Sequence, residues 1–278
     1  MRHFENKIAV ITGAASGIGF AIAKKAAQLG MRVILADLDA KTLFAAEQRL
    51  QAESYDVKAY ITDVSQEKDL FALAEHTITY YGVPQLLVNN AGIGGPIGPI
   101  WEVPLEQLQL TWNVNVLGIV YGLRAFMPWL LKSNDPTHIV NTASMAGFYS
   151  APYLASYEMS KHAVVALTEA LHHDLQRLAS HIKVSLLCPG WVATNILQTS
   201  SNTLKAQPDF SEVDMHWLLR FARSVKKGML PEQIAEQVFA AIEEEKFYIF
   251  TDKTMRDHII MQRLETIMAE TGPIAFEF

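Results

Sequence analysis

Seven short runs of β-branched and aliphatic residues recur along this chain, and stretches with apolar residues at helical spacing lie between them. That alternation restricts the fold more than any single motif does. The runs are Ile8–Ile11, Val33–Ala36, Val57–Ile61, Leu86–Val88, Ile139–Thr142, Val184–Leu187 and Phe247–Phe250. Most are too apolar to leave one face in water, as expected for parallel strands covered on both sides. Between them, sets such as Leu167, Leu171, Leu175 and Leu178 recur with a helical period. Strand and helix in repeated succession, joined by right-handed crossovers, predict an α/β doubly wound, seven-stranded parallel sheet with helices on both faces.

Neither a sequence repeat nor a low-complexity linker divides the 278 residues, so residues 1–278 are expected to form one domain. Val103–Pro104 and Leu230–Pro231 place proline where a first helical turn tolerates it. Residues 195–228 break the regular alternation: Ser, Asn and Pro mix there with Met215, Trp217 and Leu218, in a stretch too long for a simple crossover. This segment is expected to be a lid.

With 23 Lys and Arg against 29 Asp and Glu the net charge is −6, and there is no basic run, which argues against a nucleic-acid partner. The single Cys188 has no intrachain partner, which fits a reducing compartment. Glu5 and Asn6 interrupt the early apolar stretch and glycines follow at once, so it does not read as a secretory signal. No apolar run is long enough to cross a bilayer. The expectation is a soluble, cytoplasmic protein.

Directly after the first strand comes Thr12-Gly13-Ala14-Ala15-Ser16-Gly17-Ile18-Gly19, running into the helical Ala21-Ile22-Ala23. Glycines let the backbone turn tightly and approach a pyrophosphate, and a helix start offers free N–H groups and a positive dipole end. Asp37 ends the second strand, about 20 residues past the glycines, where a carboxylate accepts hydrogen bonds from ribose hydroxyls. It would also repel a 2′-phosphate. No basic residue at Ala14, Ala15 or Leu38 offsets it, so the expected cofactor is NAD, held by Gly13, Ser16, Gly17, Ile18, Gly19, Asp37 and Leu38. No metal is expected.

Further on, Ser156-Tyr157-Glu158-Met159-Ser160-Lys161 opens a helical pattern. Residues four apart share a helix face, so the Lys161 ammonium can act on the Tyr157 phenol and draw its pKa down toward neutrality. That makes a proton donor and acceptor.

The motifs follow one another in order: the glycine loop; Asp63-Val64 after the third run; Asn89-Asn90-Ala91-Gly92 after the fourth; Asn115-Val116-Leu117-Gly118; Ser144 after the fifth; Tyr157-x-x-x-Lys161; and Pro189-Gly190 after the sixth. In these the chain resembles the short-chain dehydrogenase/reductase family over nearly its whole length. The resemblance implies a Rossmann-type NAD(P)-dependent oxidoreductase acting on an alcohol or ketone. It assigns Tyr157 as general acid/base, Lys161 as the cation that lowers its pKa and holds the nicotinamide ribose, and Ser144 as the group holding the substrate oxygen. Asn115 is to position a relay water, and Asn113, outside the N-x-x-G pattern, is structural. Around the cofactor, Asp63 and Val64 are to border the adenine, and Asn90, Ala91 and Gly92 to shape a turn beside it. Pro189, Gly190, Val192 and Thr194 are to orient the carboxamide.

The loops expected around the substrate carry Ile97, Phe148, Tyr149, Tyr153, Trp191 and Leu197, which suggests a hydrophobic secondary alcohol and its ketone. Arg220 and Arg223 offer an alternative, binding of a carboxylate, or else simple solvation. The stretches 105–131 and 156–178 resemble the helices through which family members form homotetramers or dimers, and Tyr248, Phe250 and residues 273–276 offer further contacts. Two other functions compete with the oxidoreductase one. A nucleotide-sugar epimerase or dehydratase typically carries a G-x-x-G-x-x-G loop and a larger C-terminal domain, and this chain shows neither. A catalytically silent NAD sensor would be expected to lack Tyr157, Lys161 or Ser144.

Overall fold

Strand order explains where a ligand can enter. In the computed structural model, which describes residues 1, 3–178, 180–194, 196 and 215–276, seven parallel strands lie in the order β3-β2-β1-β4-β5-β6-β7. They are β1 (Ile8–Thr12), β2 (Arg32–Asp37), β3 (Val57–Ile61), β4 (Leu86–Asn89), β5 (Thr137–Thr142), β6 (Ile182–Cys188) and β7 (Tyr248–Phe250). Each expected run is a strand, with ends shifted by a few residues. The chain winds outward from β1 to β3, then crosses back to place β4 against β1, with Ile11 opposite Val88. At such a reversal the loops after β1 and β4 diverge to opposite sides, leaving a crevice at the carboxyl ends of the strands.

Side-chain alternation splits the core into two layers. Ala9 and Ile11 join Ile22 of α1 (Gly17–Gln28), Leu43 and Leu50 of α2 (Ala40–Ala52) and Ile234 and Val238 on one side of the sheet. Ile8 and Val10 join Leu70 and Leu73 of α3 (Glu67–Tyr80), together with Phe126 and Val164, on the other. Burying each such aliphatic side chain contributes roughly 1.5–3 kcal/mol. Exposing one strand face would forfeit that for every second residue.

The stretch expected as one helix over 105–131 is interrupted. It consists of α4 (Leu105–Trp112), a π-helical segment at Asn113–Leu117, and α5 (Gly118–Leu130). The wider turn spans Asn115, whose fully buried amide bonds to neighbouring backbone and so holds the distortion in place. The next long helix, α6 (Ala155–Arg177), runs unbroken.

After β6, the described part of the expected lid includes the helix α7 (Met215–Lys226), while residues 195 and 197–214 lie outside the described residues. Trp217, Phe221 and Val225 turn inward and join Leu154, Ile97 and Trp191 in a third apolar cluster above the sheet. The helices α8 (Pro231–Glu243) and α9 (Lys253–Met268) complete the description, Pro231 being the first residue of its helix as its sequence position implied. Among the described residues no helix is long and apolar enough to cross a membrane.

Candidate active site

A cleft of about 520 Å³ follows the carboxyl ends of the strands, from the glycine loop past Tyr157 to Trp191 and α7. Gly13 has φ +66°, a conformation that strains any residue with a Cβ. A Cβ on Gly19 would fall 2.1 Å from the Gly13 carbonyl oxygen, so the turn cannot close around a larger residue. Ser16 is the N-cap of α1, exposed at the cleft, and its hydroxyl does not cap the helix. The first-turn N–H groups of α1 therefore face a cradle suited to a pyrophosphate.

Asp37 closes that end. Its carboxylate accepts from the Ala15 N–H at 3.0 Å and the Asp39 N–H at 3.2 Å, which ties the glycine loop to β2. Burial raises its pKa, while these backbone bonds oppose the rise. Leu38, Asp63 and Val64 line the same end, with one Asp63 oxygen accepting from the Ser65 N–H and hydroxyl. Asn90 acts as a bracket: its side-chain amide donates to the Thr12 carbonyl at 3.0 Å, and its N–H donates to the Thr12 hydroxyl at 2.9 Å. Ala91 and Gly92 continue the wall.

At the other end of the cleft Ser144 precedes a short 3₁₀ turn, Met145–Gly147, and accepts from the Ala146 N–H at 3.1 Å. The Met145 N–H donates to the Pro189 carbonyl at 2.9 Å, so the loops after β5 and β6 hold each other. Tyr157 stands in the first turn of α6, partly open to the cleft, and the Ser144 side chain is near enough to act on its hydroxyl. Lys161, one turn on and 4% exposed, donates to the Thr142 carbonyl at 3.0 Å. Burial lowers its pKa to about 8.

The phenol requires a correction. The expectation was that Lys161 would depress it, but the Tyr157 pKa is raised by burial, with only the nearby Ser144 side chain acting to lower it. The geometry gives the reason: the Lys161 nitrogen lies 5.6 Å from the centre of the Tyr157 ring and is directed at the Thr142 carbonyl. Among the protein's own groups, desolvation outweighs attraction at that separation.

Asn115 supports the site from beneath. Its amide accepts from the Ile93 N–H at 2.8 Å and donates to the Ile93 carbonyl and the Ser160 hydroxyl, both at 2.9 Å. Ser160 in turn donates to the Tyr157 carbonyl at 2.6 Å. Asn113, also in the π segment, is only partly buried. Gly190, Val192 and Thr194 line the cleft with Pro189, and Val192 forms a parallel bridge with Met229. The buried Cys188 has its thiol pKa raised by desolvation, as suits a packing residue.

Of the expected apolar walls, Ile97, Tyr149 and Trp191 line the cleft. Phe148 and Tyr153 do not. Phe148 packs against Phe250, and Tyr153, at φ +68°, turns its ring edge-on to Trp217. Leu197 lies outside the described residues. Leu154, Phe221, Val225 and Met255 take part in the wall instead. The 217, 221, 225 spacing was visible in the sequence, but which face it would present was not. The bridging role of the Ser160 hydroxyl and the Thr142 carbonyl's hold on Lys161 were not foreseen, because such contacts carry no sequence signal of their own.

A doubly wound sheet with a glycine cradle at its switch point and a tyrosine, serine and lysine at the far end of one cleft defines a dinucleotide-dependent oxidoreductase. The short chain dehydrogenase family profile matches residues 7–205. Two curated relatives are 1-deoxy-11-beta-hydroxypentalenate dehydrogenase of Streptomyces avermitilis, 35% identical over 90% of this chain and 86% of that protein, and the CLA biosynthesis dehydrogenase/reductase of Lactiplantibacillus plantarum, 32% identical over 98% and 97%. A crystal structure of a short-chain dehydrogenase/reductase from Burkholderia phymatum in complex with NAD superposes over the full length of both chains, with TM-score 0.93 at 37% identity. This chain belongs to the short-chain dehydrogenase/reductase family, and it is an alcohol dehydrogenase or ketone reductase of that family.

Proposed function

We propose that the protein is an NAD-dependent oxidoreductase that interconverts a hydrophobic secondary alcohol and its ketone. The observation that carries this reading is that Tyr157, Ser144 and Lys161 line one cleft that begins in a phosphate cradle. Bound nicotinamide would supply a hydride to the carbonyl carbon or accept one from the carbinol. The cofactor fits the residues present: Gly13, Ser16, Gly17, Ile18 and Gly19 for the pyrophosphate, Asp37 and Leu38 for the adenosine ribose, Asp63 and Val64 for the adenine. Asn90, Ala91, Gly92, Pro189, Gly190, Val192 and Thr194 would border the nicotinamide half. Asp37 favours NAD over NADP, since a carboxylate repels a 2′-phosphate and no cation stands beside it at Ala14, Ala15 or Leu38.

Tyr157 donates a proton to the developing alkoxide in reduction and takes one from the carbinol in oxidation. Ser144 donates a hydrogen bond to the same oxygen, where negative charge grows. Lys161, with a pKa of about 8, is cationic at neutral pH; with the nicotinium charge of the bound cofactor it would favour the phenolate, and it would hold the nicotinamide ribose. Asn115 sustains the path by which Lys161 exchanges protons with solvent through a relay water. The apolar lining of Ile97, Tyr149, Trp191, Phe221 and Val225 favours hydrophobic substrates over sugars.

The same reading takes residues 1–278 as one domain and the 195–228 segment as the substrate lid. It also takes the protein as cytoplasmic. Exposed Trp112, Trp129, Met159 and Leu178 on the helices after β4 and β5 support a homotetramer, for which sedimentation at micromolar concentration is the check.

A spectrophotometric screen of secondary alcohols and ketones with NAD(H) and NADP(H) tests the function. Tyr157→Phe should lose at least ~100-fold in kcat/KM, the usual contribution of a positioned proton donor. Near-wild-type turnover in that variant would assign the proton to another group.

A further inference from the structure

A second cavity, of about 680 Å³, also has Trp191 in its wall and is unlike the apolar cleft in its chemistry. Arg220, Arg223 and Lys227 of α7 and the residue just beyond it share its wall, at a spacing that puts them on one helix face. None of the three has a carboxylate within salt-bridge distance among the described residues. In a chain of net charge −6 this gathers three cations around one concavity.

Macrodipole compensation accounts for part of the arrangement, because Arg223 lies in the last turn of α7, where a cation is favoured. Arg220 lies a turn earlier, and the dipole does not explain it. Two further groups face the same space. Thr251, 7% exposed, accepts from the Gly190 N–H at 3.0 Å, which leaves its hydroxyl hydrogen free to donate. Asp252 is the one acidic residue of the wall, and an oxygen of its carboxylate is taken up by capping α9 through the Met255 N–H at 2.9 Å.

Trp191 is common to the walls of both cavities, so the cationic concavity adjoins the apolar cleft at that residue. We propose that the cavity bounded by Arg220, Arg223 and Lys227 binds the anionic end, a carboxylate or phosphate group, of an otherwise apolar hydroxy or keto substrate. This rests on the oxidoreductase reading of the adjoining cleft. Guanidinium groups pair with such anions through parallel N–H bonds, and the open setting keeps the gain modest.

The test compares a panel of aryl and alkyl keto acids with their methyl esters as NADH-dependent substrates of the wild type and of the R220Q/R223Q double variant. The ratio of kcat/KM for acid over ester should fall about 10-fold in the variant, carried by KM for the acid, which corresponds to about 1.4 kcal/mol. An unmoved ratio, or an equal loss on acid and ester, would overturn the proposal while leaving the oxidoreductase reading in place. Inorganic phosphate should raise KM for the acid and not for the ester, in the wild type only. Equal inhibition of both would put the phosphate elsewhere and count against the site. If the wild type turned over neither acid nor ester, the catalytic reading would be the one to fall. Calorimetric binding of inorganic phosphate, present in the wild type and lost in the variant, would still decide for or against the anion site.

Discussion

Lys161 and Tyr157 stand one helical turn apart, with the ammonium 5.6 Å from the centre of the phenol ring and hydrogen-bonded to the Thr142 carbonyl. The Lys161→Met variant removes the cation without adding bulk. A cation within about 6 Å lowers a neighbouring acid's pKa by about one unit or more when it dominates. With NAD bound, the acid limb of the alcohol-oxidation pH profile, below which Tyr157 is protonated and cannot take the carbinol proton, should move to higher pH by about that amount, with a higher KM for NAD. A limb that stays where it was would show that the ammonium does not act on the proton donor.

Ser160 is fully buried between two groups of the site. Its hydroxyl accepts from the Asn115 amide and donates to the Tyr157 carbonyl. The Ser160→Ala variant leaves a buried amide hydrogen and a carbonyl short of a partner, at about 1–3 kcal/mol. For a chain of this size the thermal midpoint should drop by about 2–4 °C per kcal/mol. Differential scanning calorimetry is the measurement, and an unchanged midpoint would mean that water replaces the hydroxyl at no cost.

Asp37 receives the Ala15 N–H and lines the cleft, and in the proposed binding mode its carboxylate would repel a 2′-phosphate. The Asp37→Ser variant removes the repulsion and keeps a polar group. The kcat/KM ratio for NADP over NAD should rise about 10-fold or more, the equivalent of about 1.4 kcal/mol. Steady-state kinetics with both coenzymes would show it, and a constant ratio would place coenzyme selection elsewhere.

Glu158 points away from the catalytic face, 5% exposed, with its carboxyl accepting the Ala151 N–H at 2.8 Å. Desolvation raises its pKa from 4.5 to about 8. Between those values the folded chain keeps a proton that the unfolded chain has lost, so stability from this group is full at low pH and falls as pH climbs through the window. The Glu158→Gln variant retains an acceptor and carries no charge. Its stability advantage over the wild type should grow between pH 5 and pH 8, reaching about 2–4 kcal/mol. Urea denaturation at both pH values measures the difference, and a pH-independent difference would contradict the assignment.

The strands and the ordered motifs were legible because they depend on short-range pattern. Apolar runs without polar alternation must be covered on both faces, which brings Ile8 to Ile11 and its six counterparts into one parallel sheet. Gly13, Gly17 and Gly19 after the first run, and Tyr157 and Lys161 four apart on a helix, are local spacings whose geometry follows from the backbone alone.

Other features depended on groups far apart in sequence. Asn115 finds Ile93 and Ser160 only once the loop after β4 and α6 converge on the π segment. The raised Tyr157 pKa reflects how much protein encloses the ring, a quantity that spacing does not carry. Phe148 and Tyr153 looked like substrate walls by residue type, yet packing against Phe250 and Trp217 takes them out of the cleft. Periodicity along the chain thus determined the sheet and the order of the motifs. Desolvation and convergence across it, which exist only after folding, decided proton affinities, the shape of the cleft and the cations beyond Trp191.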